Sequence, residues 1–224
     1  MSNELFYFLI VLIDLTIALI AFKLGVKWVI VFIVTNLLLV TALAGKIVDI
    51  FGFSTTVAGP FYASIFLATD ALTEHYGKKI GFKSVLIGFA ALSLFVLMTQ
   101  LSLLINPVSF SEELNTGMKT VFGTSLRVFI ASGIAYVVSQ NFDVWFYHFL
   151  QNKTKSKYLW LRNNVSTITS QLLDSSIFFS IAFIGVIPNW IEVAIIGAIA
   201  KIIVALLDTP FIYLTYKVKV NKDA

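Results

Sequence analysis

The sequence predicts an all-α polytopic membrane protein of seven spanning helices, with the N-terminus outside and the C-terminus cytoplasmic. Three observations carry this. Hydrophobic residues fill 58% of the 224 positions and charged ones 12%, about half the charged share of a soluble domain. Apolar runs near the length a bilayer requires, about 20 residues, recur along the whole chain. The basic residues gather in alternate connections, as the positive-inside rule demands.

The first run, residues 5–22, follows the acidic start "MSNE" and has neither a basic n-region nor an A-x-A site. It reads as a retained helix and not as a signal peptide. The remaining runs cover 28–48, 57–76, 82–105, 124–149, 164–185 and 190–215. They are separated by "KLGVK", "DIFGFS", "YGKKIGFK", "NPVSFSEELNTG", "QNKTKSKYLWLRN" and "VIPNW", all rich in turn formers or charge. The longest connection, between the fourth and fifth segments, holds Pro107, Glu112 and Glu113. No separate soluble domain, low-complexity tract or repeat stands out, so residues 1–224 read as one transmembrane unit.

With the N-terminus outside, the inner connections and tail hold Lys23, Lys27, Lys78, Lys79, Lys83, Lys153, Lys155, Lys157, Arg162, Lys217, Lys219 and Lys222. The outer connections hold Lys46 and Lys119. That distribution accounts for the net charge of +4 by topology and anionic lipid contact, without a nucleic-acid partner. Two basic residues fit no connection: Arg127 near the outer end of the fifth segment and Lys201 midway along the seventh.

Intramembrane charge costs about 2.5–3.5 kcal/mol per residue on insertion scales, so it faces a bundle interior. In "FLATDALTEHYGKK", Asp70 and Glu74 stand one helical turn apart and share a face with Phe66, Thr73 and Gly77. On the fifth segment Tyr136, Gln140, Asp143 and Tyr147 follow one face. On the sixth, Asn163, Thr167, Ser170, Gln171 and Asp174 form a polar stripe opposite Phe178 and Phe179. Such a stripe cannot face lipid, where an unpaired polar group costs several kcal/mol. The bland reading is interhelical glue, and it is the better one for Ser166, Thr167 and Ser170. Asp174 and Lys201 are at compatible depths for an ion pair, whereas Arg127 and Asp143, about 24 Å apart along one helix, cannot meet. Asp14 reads as peripheral, Asp208 as solvated or capping a kink before Pro210, and Gln100 as a partner for Arg127.

Enzyme chemistry finds no footing. There is no cysteine, so thiol catalysis and Cys-based metal sites are out. His75 and His148 lie at helix ends without HExxH spacing, G-x-S-x-G is absent, and no phosphate-binding Gly loop appears. No metal or cofactor is expected. A lysine in the seventh segment also suits a retinal-binding seven-helix protein. However, Trp28, Trp160 and Trp190 sit at segment ends, and no Arg-x-x-Asp-Trp-type segment exists on the third. A ligand-handling membrane protein remains.

The stretches "FLATDALTEHYGKK", "RVFIASGIAYVVSQNFDVWFY" and "RNNVSTITSQLLDSSIFF", with the lysine of "AIAKIIVALLDTPFIY", resemble the signatures of the queuosine precursor transporter family, also called vitamin-uptake-transporter-like. The similarity runs from about Lys27 to Tyr216; residues 5–22 look like an addition to a six-helix core. The resemblance implies uptake, at the cell membrane, of 7-cyano-7-deazaguanine or its aminomethyl form by alternating access. A carboxylate of Asp70, Glu74, Asp143 or Asp174 would accept the donors of the guanine-like edge. Gln140, Gln171, Arg127 or Lys201 would donate to its carbonyl, and Phe61, Tyr62, Phe66 or Tyr136 would stack on the ring. The acidic excess would suit the cationic aminomethyl form, and a proton on Asp70 or Glu74 would offer coupling, while passive facilitated diffusion fits equally well. The partners implied are this small molecule and the lipid bilayer; a homodimer and ATPase partner subunits stay open. The rival reading is the substrate-binding subunit of an energy-coupling vitamin or nucleobase uptake system.

Overall fold

The computed structural model describes residues 2–123, 126–185 and 190–218. Lys219 and Lys222 of the charge census, and the break at 186–189, lie outside them. Among the described residues are eight α-helices: α1 (Asn3–Leu24), α2 (Val26–Leu43), α3 (Gly59–Tyr76), α4 (Lys78–Leu103), α5 (Glu112–Phe122), α6 (Leu126–Lys153), α7 (Leu159–Phe183) and α8 (Trp190–Thr215). Two short antiparallel strands, β1 (Ile47–Ile50) and β2 (Phe53–Thr56), form a hairpin between α2 and α3.

Seven long helices stand where the apolar runs predict them, with ends that differ for local reasons. The second run stops at Leu43, because "KIVDIFGFSTT" turns back on itself as the hairpin. Its two turn residues, Phe51 and Gly52, have φ of 51° and 79°, as a tight two-residue hairpin turn requires. Between α3 and α4 the chain reverses at Gly77 alone, at φ 84°, a conformation that favours glycine. Pro60 sits in the first turn of α3, where its missing N–H costs no helical bond. Pro210, by contrast, lies inside α8, which runs on to Thr215.

α5 is the element that the apolar pattern does not announce. It is short, its mean hydropathy is low, and it has no buried residue. Glu112 and Glu113 occupy its first turn, where the helix dipole favours negative charge. Gln100 of α4 donates to the Phe122 carbonyl at 2.6 Å, closing its C-terminus.

α3 is the hub. It is buried from Gly59 to Thr73 except at Phe61 and Tyr62 and contacts α1, α2, α4, α6, α7 and α8. Its polar residues explain this: Ser64, Thr69 and Thr73 bond their own helix carbonyls, and Asp70 needs partners that lipid lacks. α4 packs through a face of Gly81, Ser84, Val85, Gly88 and Leu92. A β-carbon at Gly88 would stand 2.6 Å from the Tyr136 hydroxyl and 2.8 Å from Leu37 Cδ1. Small residues let membrane helices approach this closely.

α1 belongs to the bundle. It packs on α2, α3 and α8, and Asp14 is buried, accepting from Asn36 Nδ2 at 3.0 Å. Its peripheral assignment is therefore corrected: a carboxylate in mid-bundle needs a donor, and α2 supplies one. At the N-terminal end, Asn3 donates to Asp49 O at 3.3 Å and Glu4 accepts from Phe51 N at 3.1 Å, clipping the hairpin to α1. The other face of α1 exposes Leu5, Leu9, Leu12, Ile13, Ile17 and Ile20.

Among the described residues three helices, α1, α2 and α4, are individually long and apolar enough to cross a membrane, or four if the bent pair of residues 109–122 and 127–153 counts as one span. α3 and α7 carry too much interior polarity to join them, and α3 is the helix that the others wrap.

Gly88→Ala is expected to lower the melting temperature, since the new methyl overlaps two side chains, with a cost of about 1–3 kcal/mol. Gly117→Ala on α5 meets no heavy atom within 4 Å and is expected to be neutral or stabilising. Thermal unfolding in detergent compares the two.

Candidate functional site

Because the long helices alternate in direction, one end of the bundle carries the hairpin and the start of α1. The other carries the α3–α4 and α6–α7 reversals with their lysines. The interior polar groups form three layers between these ends.

The first is a cavity of about 730 Å³ that reaches the hairpin end, where Ala44, Ile47, Thr55 and Phe122 line it. Its aromatic walls include Tyr136, Phe178 and Phe179. At its base Asp174 Oδ2 receives Lys201 Nζ at 2.6 Å, while Asp174 Oδ1 accepts from Tyr62 Oη at 2.5 Å and Ser139 Oγ at 3.2 Å. The Lys201 ammonium also stands 4.8 Å from the Tyr62 ring centroid, within cation–π range. The floor therefore offers a fixed carboxylate and a partly exposed ammonium beside flat hydrophobic faces.

The second layer is fully buried and comes from α3, α6, α7 and α8. Thr167 Oγ1 donates to Asp70 at 3.2 Å, Ser170 Oγ donates to Asp143 at 2.8 Å, and Thr69 Oγ1 is 3.1 Å from Gln140 Oε1. The carboxyl groups of Asp70 and Asp143 are neighbours. Asp208 joins them from α8 and accepts from Asn163 Nδ2 at 2.8 Å. Asp208 is not solvated: it is buried, and α8 continues through Pro210.

The third layer centres on Glu74. Arg162 forks onto it, Nε to Oε2 at 2.9 Å and Nη2 to Oε1 at 2.5 Å. Tyr147 Oη at 2.8 Å, Gln151 Nε2 at 3.1 Å and the Tyr216 hydroxyl complete the set. Arg162 Nη1 also ties down the α6–α7 reversal through the Ser156 and Lys157 carbonyls at 3.1 and 3.0 Å.

These placements sort the candidates. Asp174 and Lys201 meet at the cavity; Asp70, Gln140, Asp143 and Gln171 gather in the layer beneath. Phe66 is fully buried and meets Tyr62 edge-on at 5.6 Å, outside the cavity lining. Glu74 is one turn from Asp70, yet protein donors fill its acceptor positions, so Asp143 and not Glu74 is the carboxyl beside Asp70. Arg127 stands apart: its Nε and Nη2 bond Ile181 O and Ile184 O at 2.6 and 2.7 Å, capping α7. Gln100, expected to satisfy Arg127, serves α5 instead.

Arg162 is the residue that sequence reasoning misplaces. It was counted among the inner positive charges, yet it is 1% exposed. Its neighbours Lys153, Lys155 and Lys157 make it look like one more of them. The signal lay in residue type: fourteen of the sixteen basic residues are lysine, and both arginines, Arg127 and Arg162, hold carbonyls or a carboxylate in the fixed fork that guanidinium provides.

Residues 56–215 match the family described as "Putative vitamin uptake transporter". A "Probable queuosine precursor transporter" of Bacillus subtilis (strain 168) is 36% identical over 181 residues, 80% of this chain and 79% of that protein. A "Queuosine precursor transporter" of Escherichia coli (strain K12) is 28% identical over 172 residues, 71% of this chain and 72% of that one. No solved structure matches the chain.

Removing one partner of a buried ion pair strands the other, at about 3–5 kcal/mol. Arg162→Ala is accordingly expected to destabilise strongly, and Arg162→Lys to fall between it and wild type, because lysine keeps the charge but not the fork. Thermal melts in detergent measure both.

Proposed function

The chain belongs to the vitamin uptake transporter family, and from that premise we propose that it imports a 7-deazaguanine precursor of queuosine by alternating access. The cargo is 7-cyano-7-deazaguanine or its aminomethyl form. The observation that carries this reading is the asymmetry of the bundle: a roomy cavity at the hairpin end and a charged clamp at the other. That is the form of a carrier waiting for cargo on one side with the opposite exit shut.

The lysines give the sides. Among the described residues Lys23, Lys27, Lys78, Lys79, Lys83, Lys153, Lys155, Lys157 and Lys217 fall at the clamp end, against Lys46 and Lys119 at the hairpin end. Arg162 no longer counts, and the imbalance survives its loss. The clamp end is then cytoplasmic and the cavity faces outward, with α1, α2, α3, α4, α6, α7 and α8 as the seven spans and α5 at the outer surface.

Cargo entering from outside would stack against Tyr136 or the Phe178 and Phe179 rings and meet the Asp174–Lys201 pair at the base. That pair has an acceptor and a donor, the two functions a guanine-like edge requires. Passage inward requires the Glu74 clamp to open. Five donors on one carboxylate, drawn from α6, α7 and the residue after α8, make it a cooperative latch. The pair of neighbouring carboxyls also moves: Asp70 with Asp143 takes the place of Asp70 with Glu74.

The chain alone, in proteoliposomes, is expected to take up labelled 7-cyano-7-deazaguanine; uptake only with added ATPase subunits would transfer it to the energy-coupling class. The latch has its own test. The protein has no cysteine, so Tyr147→Cys provides a unique thiol at a residue that is 0% exposed. In inside-out vesicles its labelling by an impermeant maleimide in the bath is expected to rise several-fold when substrate is loaded into the lumen, the side that the cavity faces. Substrate-independent labelling would remove the latch from the mechanism.

A further inference from the structure

Gln171 is left over by the transport reading. Its side chain is 0% exposed, yet neither Nε2 nor Oε1 has a hydrogen-bond partner among the described residues. Buried polar atoms are nearly always bonded, and leaving them unmet carries a free-energy cost. Its neighbours are only half unmet. Gln140, Asp70 and Asp143 each hold one protein contact, through Thr69, Thr167 and Ser170, and keep one free atom. Gln171 is free at both ends.

Its place on α7 gives this meaning. Thr167, one turn before, donates to Asp70; Asp174, three residues after, is the cavity floor; Ser175, one turn after, has a buried hydroxyl likewise without a partner. Residues at these spacings share one helix face. Gln171 therefore occupies the step between the outward cavity and the buried acidic layer, on the path from one to the other.

A carboxamide sets one donor and one acceptor side by side. Its complement is a ring edge with the opposite order, an N–H beside a C=O. The free Nε2 of Gln140 extends that surface with another donor, and the carboxyl oxygens of Asp70 and Asp143 that no protein donor meets extend it with acceptors. A hydrocarbon or a simple amine satisfies only part of such a set; a lactam with a neighbouring amino group satisfies it more fully.

We propose that Gln171 is a specificity-determining residue of the transporter, its carboxamide pairing with the lactam edge of the heterocycle once the cargo has passed the Asp174–Lys201–Tyr62 floor. This rests on the transport reading and adds a second, deeper station to it.

The test uses the full chain in nanodiscs, wild type beside Gln171→Met, with 7-cyano-7-deazaguanine and its analogue lacking the ring carbonyl and lactam N–H. Methionine has similar length and no amide. The variant without ligand is expected to melt at or above wild type, since two unmet buried polar atoms disappear. Its affinity for the oxo ligand is expected to fall about tenfold or more, while its affinity for the analogue matches wild type. Wild-type-like binding of the oxo ligand by the variant overturns the assignment and leaves the transport reading intact. A variant that fails to fold, or melts well below wild type, also overturns it, because the amide would then be holding helices together. If wild type binds neither compound, the cargo reading fails and this inference falls with it.

Discussion

The Glu74 carboxylate is the point from which the packing of this bundle follows. A carboxylate taken out of water incurs a desolvation cost that a single counter-ion seldom offsets. Here Arg162 supplies a two-pronged contact and Tyr147, Gln151 and Tyr216 cover the remaining lone pairs. These donors come from α6, α7 and the residue after α8, so the axial positions of three elements against α3 are set at one atom group. With that register fixed, the contacts farther up fall into line: Thr167 meets Asp70, Ser170 meets Asp143 and Lys201 meets Asp174.

The same constraint divides the helices by company. α3, α6 and α7 carry hydroxyls, amides and carboxyls that hydrocarbon cannot satisfy, so they turn them toward one another. α1, α2 and α4 are apolar on most sides and surround α3, presenting residues such as Leu12, Val31 and Leu94 outward. Polar contacts between membrane helices are individually modest. Their effect here is to specify which face turns inward, while close approach at Gly81 and Gly88 supplies van der Waals contact.

Much of this was legible in the chain. Periodic apolar runs mark the long helices, and depth along them makes Asp174 and Lys201 compatible partners. The stripe on α7 and the face of Tyr136, Gln140, Asp143 and Tyr147 could be read from spacing alone. The rest escaped for identifiable reasons. The hairpin has four-residue strands and hides in the tail of an apolar run. α5 is too polar for a hydropathy search and too short for a confident period. Asp14 reads as peripheral and Asp208 as solvated or capping because their partners, Asn36 and Asn163, lie 22 and 45 residues away in sequence. Arg162 was disguised by neighbouring lysines. Periodicity reports which side of a helix is inside; it does not report which distant residue waits there.

The two ion pairs have a consequence for energetics. Glu74 with Arg162 and Asp174 with Lys201 each join one negative to one positive group. Moving a lone charge through a membrane potential involves about 2.3 kcal/mol per 100 mV. A pair that travels as a unit does no net electrical work. Rocking the floor or the latch as intact pairs is therefore blind to voltage, and a resting cell's potential neither props the carrier open nor holds it shut through them.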